Sequence, residues 1–302
     1  MGAVIAHHVG KIAGRGSPDR RVLLAGGAGA GLAVAFNAPI AGAIFVLEEL
    51  VARFDTRIAI AALGASTTAI LVARLFLGDA PDFQVATVAY PAATTWPLFV
   101  ALGAIAGLAA TIYHRTLLGA ISVAQRLGHW PVELQAAVIG AAVGALAWFA
   151  PGLVGGGDQI TQRVLSGEAI LTLIPLAFLL RFGLGAVSYA AATPGGLFAP
   201  MLVLGAQLGF FFGAISRIAI PGFGIDPEAF AVVGMAAFFT GVVQAPVTGI
   251  MLVIEMTAAF TTLLPMLGAS FAAMLVVNLL HSAPIYESLR ERPIRPPGSE
   301  RA

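Results

Sequence analysis

The stretch AFNAPIAGAIFVLE at residues 35–48 returns later in the chain as VVQAPVTGIMLVIE at residues 242–255. Both copies contain a side-chain amide, an Ala-Pro pair, a glycine and a final glutamate at the same spacing. Subtracting 39 from 246, the positions of the two prolines, gives an offset of 207 residues. An agreement of this kind predicts that the chain contains two structurally related halves.

Composition places the chain in a membrane. Hydrophobic residues occupy 59% of its 302 positions and charged residues only 10%, whereas soluble domains carry about 25% charged residues. The charges are clustered, and they leave uncharged stretches at 22–47, 134–157, 182–216, 229–254 and 256–286. Each stretch exceeds the roughly 20 residues that cross a hydrocarbon core. We therefore predict an integral, multi-pass helical protein of a plasma or inner membrane.

Several classes of function are excluded or disfavoured. The net charge is +1 and no Lys/Arg tract is present, so no nucleic-acid partner is expected. Without cysteine, thiol catalysis and cysteine metal sites are excluded. An intramembrane enzyme using Glu48 and Glu49 with a histidine is an alternative, but no catalytic pair stands at a workable spacing. Neither an enzyme nor a cofactor or metal is expected.

Helix-breaking residues lie inside the apolar stretches as well as between them, among 36 glycines and 18 prolines. Broken helices at membrane depth occur where they are buried or line a cavity. We expect about ten helical segments, some broken, which favours a transporter whose two halves enclose the substrate site. Glycines at helix-packing spacing predict close helix contacts at 103/107, 140/144 and 205/209/213.

The motif PGGLFAP at residues 194–200 interrupts an uncharged stretch and precedes a helical pattern. Its glycines allow a tight turn that leaves free N–H groups at the start of the next helix. Those groups and the helix dipole form an anion site without a cationic side chain. An ordinary helix kink would also account for the same residues.

These stretches together resemble the voltage-gated chloride channel (CLC) family, which includes H⁺/Cl⁻ exchangers. Residues 196–200 resemble its Gly-x-Phe-x-Pro selectivity motif, and residues 36–49 resemble the stretch after its gating motif. Residues 234–257 resemble the corresponding part of the second half, and residues 284–286 the segment with the pore-lining tyrosine. The resemblance implies an all-α polytopic membrane protein of the CLC type, with inverted repeats and broken, tilted helices.

The resemblance also implies a function and its residues. Chloride would bind at Gly196, Leu197 and Phe198, through the backbone N–H groups of the latter two, with the hydroxyl of Tyr286 as a further donor. Glu49 would transfer protons, which favours an H⁺/Cl⁻ antiporter over a passive chloride channel. The implied partners are chloride, protons, the lipid bilayer and a second copy of the chain. Short helices near Pro39 and Pro246, with the helices after them, match the family's dimer interface.

The repeat glutamates Glu48 and Glu255 are expected to have a structural role, because carboxylates at helix ends are commonly paired or hydrogen-bonded. A fluoride exchanger with the same fold is a weaker alternative, since those relatives depart from the Gly-x-Phe-x-Pro pattern that this chain keeps.

The family's Gly-x-Glu-x-Pro gate would be the repeat partner of residues 196–200. Subtracting 207 from 196 places that partner before Met1. We therefore expect an N-terminally truncated form: one transmembrane domain over 1–302, with 1–75 a remnant of the first repeat, 76–286 the second repeat and 287–302 a polar tail. We also expect that residues 1–302 alone do not transport chloride, so a non-transporting fragment or partner-dependent subunit stays an alternative.

Overall fold

A computed structural model describes residues 1–85, 90–126, 131–191 and 195–290 of the chain, without the side chain of Val132. Within these ranges it contains thirteen α-helices and no strand. In chain order they are α1 (Gly2–Ile12), α2 (Ser17–Ala35), α3 (Pro39–Phe45), α4 (Thr56–Leu77), α5 (Trp96–Arg126), α6 (Val132–Phe149), α7 (Asp158–Leu165), α8 (Ile174–Ala190), α9 (Phe198–Ala219), α10 (Pro227–Val243), α11 (Pro246–Thr257), α12 (Leu263–Leu279) and α13 (Ile285–Arg290).

The predicted all-α membrane fold is confirmed, with more helices than the expected ten because several are very short. Among the described helices, α4, α5, α8, α9 and α12 are long and apolar enough to cross a membrane. The buried helix α10 has 17 residues, so it is about 26 Å long. That length falls below the roughly 30 Å of a hydrocarbon core, as expected for a fold whose helices stop inside the membrane.

The order and spacing of the helices show the same internal repeat as the sequence. The series α2, α3 and α4 corresponds to α10, α11 and α12, and the first residues of α4 and α12, Thr56 and Leu263, are again 207 positions apart. Helix contacts repeat as well. A Cβ added at Gly27 would lie 2.6 Å from the carbonyl oxygen of Gly2, and a Cβ added at its repeat mate Gly234 would lie 2.8 Å from the Cα of Gly209.

Helix α10 forms the centre of the core. All its residues except Glu228 are buried, and it packs against α5, α9, α11 and α12. A helix that is apolar on every side suits such a position, because none of its faces carries polar groups that need water. The ring of Phe230 in α10 stacks on Phe99 of α5 with centroids 4.1 Å apart.

The predicted glycine contact of α9 is confirmed. Gly205, Gly209 and Gly213 face α10 so closely that a Cβ at Gly213 would lie 2.8 Å from the Cβ of Phe230. Because no side chain fits between the two backbones, the start of α9 is placed relative to α10 by van der Waals contact.

The other two glycine pairs differ from each other. Gly103 and Gly107 of α5 lie against the backbone of α12, as predicted. The prediction is wrong for Gly140 and Gly144, since no described atom within this chain lies within 4 Å of a Cβ placed at either residue. Helix α6 lies at the periphery of the described structure, and its main contacts are with α8 and with the turn Pro151–Leu153.

Each of the two repeat glutamates caps the start of a helix in the other half of the chain. Glu48 accepts hydrogen bonds from the N–H groups of Val247 (3.2 Å) and Thr248 (2.7 Å) at the start of α11, and from the Thr248 hydroxyl (2.7 Å). Glu255 accepts from the N–H groups of Ile40 (3.0 Å) and Ala41 (2.8 Å) at the start of α3. The predicted structural role of both glutamates is confirmed.

Helices α3 and α11 need an acceptor from elsewhere because their own N-cap residues do not provide one. Their N-cap residues, Ala38 and Ala245, have no side-chain acceptor, and alanine is a poor N-cap. A carboxylate from the other half supplies the acceptor and also interacts favourably with the helix dipole. Reciprocal contacts of this type, in which each half contributes the same surface, are those of a two-fold relation.

The side-chain amides of the two repeats, Asn37 and Gln244, also make equivalent contacts. Asn37 and Gln244 follow α2 and α10 with φ angles of 47° and 64°. The Asn37 amide donates to the carbonyl oxygen of Ala80 (2.9 Å), and the Gln244 amide donates to that of Ser282 (2.6 Å). Each amide therefore fastens the loop that follows α4 or α12 to the end of a core helix.

The glutamate caps make a prediction about stability. Replacing Glu255 by alanine leaves two N–H groups of α3 unpaired, so we expect the free energy of unfolding in detergent to fall by about 1–2 kcal/mol. Glu255→Gln keeps one acceptor oxygen and should lose less. The exposed Glu168 provides the matched control, Glu168→Ala, with a change below about 0.5 kcal/mol. Equal stability of Glu255→Ala and this control would contradict the cap.

Candidate functional site

The start of α9 is a buried helix N-terminus. Leu197 is the N-cap residue and Phe198 the first helical residue, and they are 3% and 7% exposed. The first helical bond runs from the N–H of Met201 to the Leu197 carbonyl (3.1 Å). Among the described residues, no acceptor binds the N–H groups of Leu197 or Phe198. The start of α9 thus offers two N–H donors and the positive end of a helix dipole, which together favour an anion without a cationic side chain.

Four aromatic rings surround Phe198. Its ring centroid lies 5.5 Å from that of Phe36, 5.3 Å from Phe45, 5.0 Å from Phe239 and 6.2 Å from Tyr286. Phe36 and Phe45 belong to the first half of the chain and the other rings to the second. The site therefore lies where the two halves meet, as the repeat predicted.

Tyr286 reaches the site from the short helix α13. Burial raises the pKa of its phenol above the ordinary value of 10.0, and the neighbouring Tyr189 and Glu49 add to the effect. The hydroxyl consequently stays protonated over the physiological range, and a protonated phenol is a hydrogen-bond donor without charge.

Glu49 lies in a five-residue π-helical turn, Val46–Leu50, that follows α3. The turn is closed by a hydrogen bond from the N–H of Val51 to the carbonyl of Val46, five residues earlier. Such turns are rare and often occur at functional sites. In the second half the equivalent stretch continues as regular helix α11, and Met256 stands at the position of Glu49.

Glu49 can change its charge near neutral pH. It lies outside the five apolar spans, and burial raises the pKa of its carboxyl from 4.5 to about 7, with further contributions from the charges of Glu48 and Glu287. Glu48 is held in the α11 cap, whereas the Glu49 carboxylate has no hydrogen-bond donor among the described residues. Within the acidic pair, Glu49 is therefore the residue suited to accept and release a proton.

A cavity of about 470 Å³ lies beside the start of α9. Its walls include Phe36, Ala199 and Leu202, and also the carboxylates of Asp82 and Asp158. Burial, followed by the charge of Asp158, raises the pKa of Asp82 above its ordinary value. Sequence reasoning missed both aspartates, since they lie 76 positions apart and no motif connects them.

The loop after α4 forms one wall of this cavity. The N–H of Phe83 donates to the carbonyl of Met256 at the end of α11 (3.0 Å). Gln84 and Gln162 exchange two hydrogen bonds of 3.0 and 2.8 Å between the loop and α7. These contacts bring Asp82 to the cavity.

Arg181 is buried in α8, and its guanidinium donates to the carbonyl of Leu153 (3.0 Å). A Cβ at Gly157, where φ is 93°, would lie 2.5 Å from the guanidinium. Glycine at position 157 therefore leaves room for this side chain.

The structure brings Leu197, Phe198, Tyr286 and, nearby, Glu49 to the boundary between the halves. Gly196 is exposed, and no described atom lies within 4 Å of a Cβ placed there. Pro194 of the motif and residues 291–302 of the predicted tail lie outside the described residues.

Comparison with known proteins agrees with this geometry. The H⁺/Cl⁻ exchange transporter ClcA of Vibrio parahaemolyticus is 36% identical over 285 residues, which cover 91% of this chain and 60% of that protein. The protein of the same name from Salmonella arizonae is 32% identical over 295 residues, covering 95% of this chain and 62% of the relative. The chain therefore spans about 60% of the length of these relatives.

Solved structures show the same fold. A slow cyanobacterial Cl⁻/H⁺ antiporter superimposes with a TM-score of 0.91 at 29% identity, covering 97% of this chain and 69% of the antiporter. A CLC-type fluoride/proton antiporter superimposes with a TM-score of 0.78 at 20% identity, covering 92% of this chain and 68% of the antiporter. This similarity supports the fold alone.

The family model described as "Voltage gated chloride channel" matches residues 1–278. This match covers most of the apolar helices and the α9 site. The chain is an integral membrane protein that belongs to the voltage-gated chloride channel family.

Proposed function

We propose that the chain transports chloride as part of an H⁺/Cl⁻ antiporter, with the anion bound at the start of α9. The observation that carries the proposal is the pair of buried N–H groups at Leu197 and Phe198, beside the phenol of Tyr286. Relatives named H⁺/Cl⁻ exchange transporters support the antiporter over a passive channel.

The proposed site binds chloride with neutral donors only. Backbone N–H groups and a phenol replace part of the anion's hydration shell, and the dipole of α9 adds a partial positive charge. A fixed cation would hold the ion more tightly, and conduction requires that the ion also leave. Gly196, which is exposed, directly precedes these two donors in the chain.

The proposed proton route uses Glu49. Its carboxyl titrates near neutral pH, and its charge interacts with Tyr286 in the anion site. A proton-transfer group is most effective when its pKa lies near the working pH. A passive channel, the second candidate, has no need of such a group.

A second copy of the chain is the proposed partner. Ile40 and Val247 at the starts of α3 and α11 are exposed, as are Ile60 of α4 and Phe271 of α12. Exposed apolar residues on these four helices are compatible with either lipid or a partner chain. The family resemblance favours a homodimer through these helices.

Two measurements on the purified chain test the proposal. Isothermal titration of chloride into protein in chloride-free detergent measures binding, and flux from liposomes measures coupled movement of chloride and protons. Binding with coupled flux supports the full proposal. Binding without flux supports the anion site and agrees with the expectation that residues 1–302 do not transport alone. Absence of chloride binding would overturn the proposal.

The anion site makes a prediction about Tyr286. Tyr286→Phe removes one hydroxyl donor and keeps the ring that packs on Phe198, so we expect chloride affinity to fall about fivefold. Tyr90→Phe is the matched control, since Tyr90 is 81% exposed and should leave the affinity unchanged. A Tyr286→Phe protein with wild-type affinity would exclude the phenol as a ligand.

The proton route makes a prediction about pH. The Glu49 carboxyl, with its raised pKa of about 7, is mostly protonated below that pH and mostly ionised above it. Where the liposome assay gives coupled flux, we expect proton flux to change with a midpoint near neutral pH, and Glu49→Gln to abolish proton flux while chloride binding persists. Where it gives no flux, infrared titration of the wild-type protein should show a carboxyl with the same midpoint, and Glu49→Gln should remove that signal. Glu168→Gln, at an exposed position, is the control. Full proton flux in Glu49→Gln would rule out this residue as the carrier.

A further inference from the structure

A histidine outside the site described above joins α5 to α13. His114 lies in α5 and is 7% exposed. Its Nε2 atom is 3.1 Å from the hydroxyl oxygen of Ser288, and its Nδ1 atom is 3.2 Å from that of Ser282. Both ring nitrogens are thus hydrogen-bonded to serines that are far from His114 in sequence.

The two serines stand on either side of Tyr286. Ser282 precedes α13, and Ser288 lies inside it. The carbonyl of Ser282 also accepts the hydrogen bond from the Gln244 amide at the end of α10 (2.6 Å). The segment that carries Tyr286 is therefore fastened to α5 at two points and to α10 at one.

Helix α13 needs such contacts because it has only six residues. A helix of that length is not stable on its own, so tertiary contacts must set its position. Neutral imidazole offers one donor and one acceptor, and a serine hydroxyl can act as either. Both bonds can consequently form with the proton on either ring nitrogen.

We propose that His114 is a positioning residue for Tyr286. Its bonds to Ser282 and Ser288 fix the orientation of α13, and that orientation directs the phenol of Tyr286 toward the anion at the start of α9. The inference rests on the proposed function for the anion, whereas the placement of the tyrosine by His114 can be measured without it.

The first test observes Tyr286 directly. The chain has four tyrosines, so protein labelled with 3-fluorotyrosine gives few fluorine resonances, and Tyr286→Phe assigns the one of interest. In chloride-free detergent we expect His114→Leu to shift or broaden the Tyr286 resonance and to leave that of Tyr90 unchanged. Ser288→Ala should have a smaller effect of the same kind, and it covers the case in which His114→Leu does not fold.

The matched control is Thr111→Val. Thr111 is buried in α5, one turn before His114, and its hydroxyl donates to the Gly107 carbonyl within the same helix (3.0 Å). Its replacement removes a buried polar group from α5 without touching α13, so the Tyr286 resonance should stay at its wild-type position. A Tyr286 resonance unchanged in both His114→Leu and Ser288→Ala would overturn the proposal.

The second test separates positioning from general stability. We expect His114→Leu to weaken chloride binding about fivefold in the wild-type background and to have no further effect in Tyr286→Phe. Equal weakening in both backgrounds would mean that His114 does not act through Tyr286. If chloride does not bind wild-type protein but His114→Leu still moves the Tyr286 resonance, the anion site fails while the placement of α13 by His114 stands.

Discussion

The fold depends on two carboxylates, one from each half, and each carboxylate caps a helix of the other half. Glu48 and Glu255 supply the acceptors for the N–H groups at the starts of α11 and α3, whose own N-cap residues are alanines. Loss of such a cap costs about 1–2 kcal/mol, because its N–H groups are left without an acceptor. Neither helix is therefore complete in its own half. Because the two caps are reciprocal, they also fix how the halves face each other.

The proposed anion site follows from this arrangement. Once α3 and α11 are joined, Phe45 of α3 and Phe36 of the preceding loop lie against Phe198, and the start of α9 is enclosed at the boundary between the halves. The close contact of Gly209 and Gly213 with α10 fixes the same helix from the other side. The N–H groups of Leu197 and Phe198 thus lie at a protein-lined boundary, and none of the residues described there as their neighbours is basic. Such a site suits an ion that must bind and then leave.

The proposed proton-transfer carboxyl and the phenol donor lie at positions where the two halves differ. The first half has a π-helical turn and Glu49 where the second has regular helix and Met256. The second half has α13 with Tyr286, held by His114 from α5. A repeated scaffold therefore provides a boundary with matching caps, and single departures from the repeat provide the titratable carboxyl and the phenol. The charge of Glu49 acts on Tyr286, which connects the proposed proton-transfer residue to the proposed anion site.

The sequence by itself determined the membrane environment, the repeat, the helix start at residues 196–200 and the importance of Glu48, Glu49 and Tyr286, because these features are local patterns or fixed spacings. Only the tertiary structure decided which contacts those residues make. It assigned Glu48 to a cap and left Glu49 free to titrate, although the two are adjacent. It also showed that Gly140 and Gly144 face no described helix of this chain and that Arg181 donates a hydrogen bond to the carbonyl of Leu153. His114, Asp82 and Asp158 carry no motif, and their partners are distant in the chain. Burial and electrostatic neighbours depend on distances in space, which a spacing along the sequence does not specify.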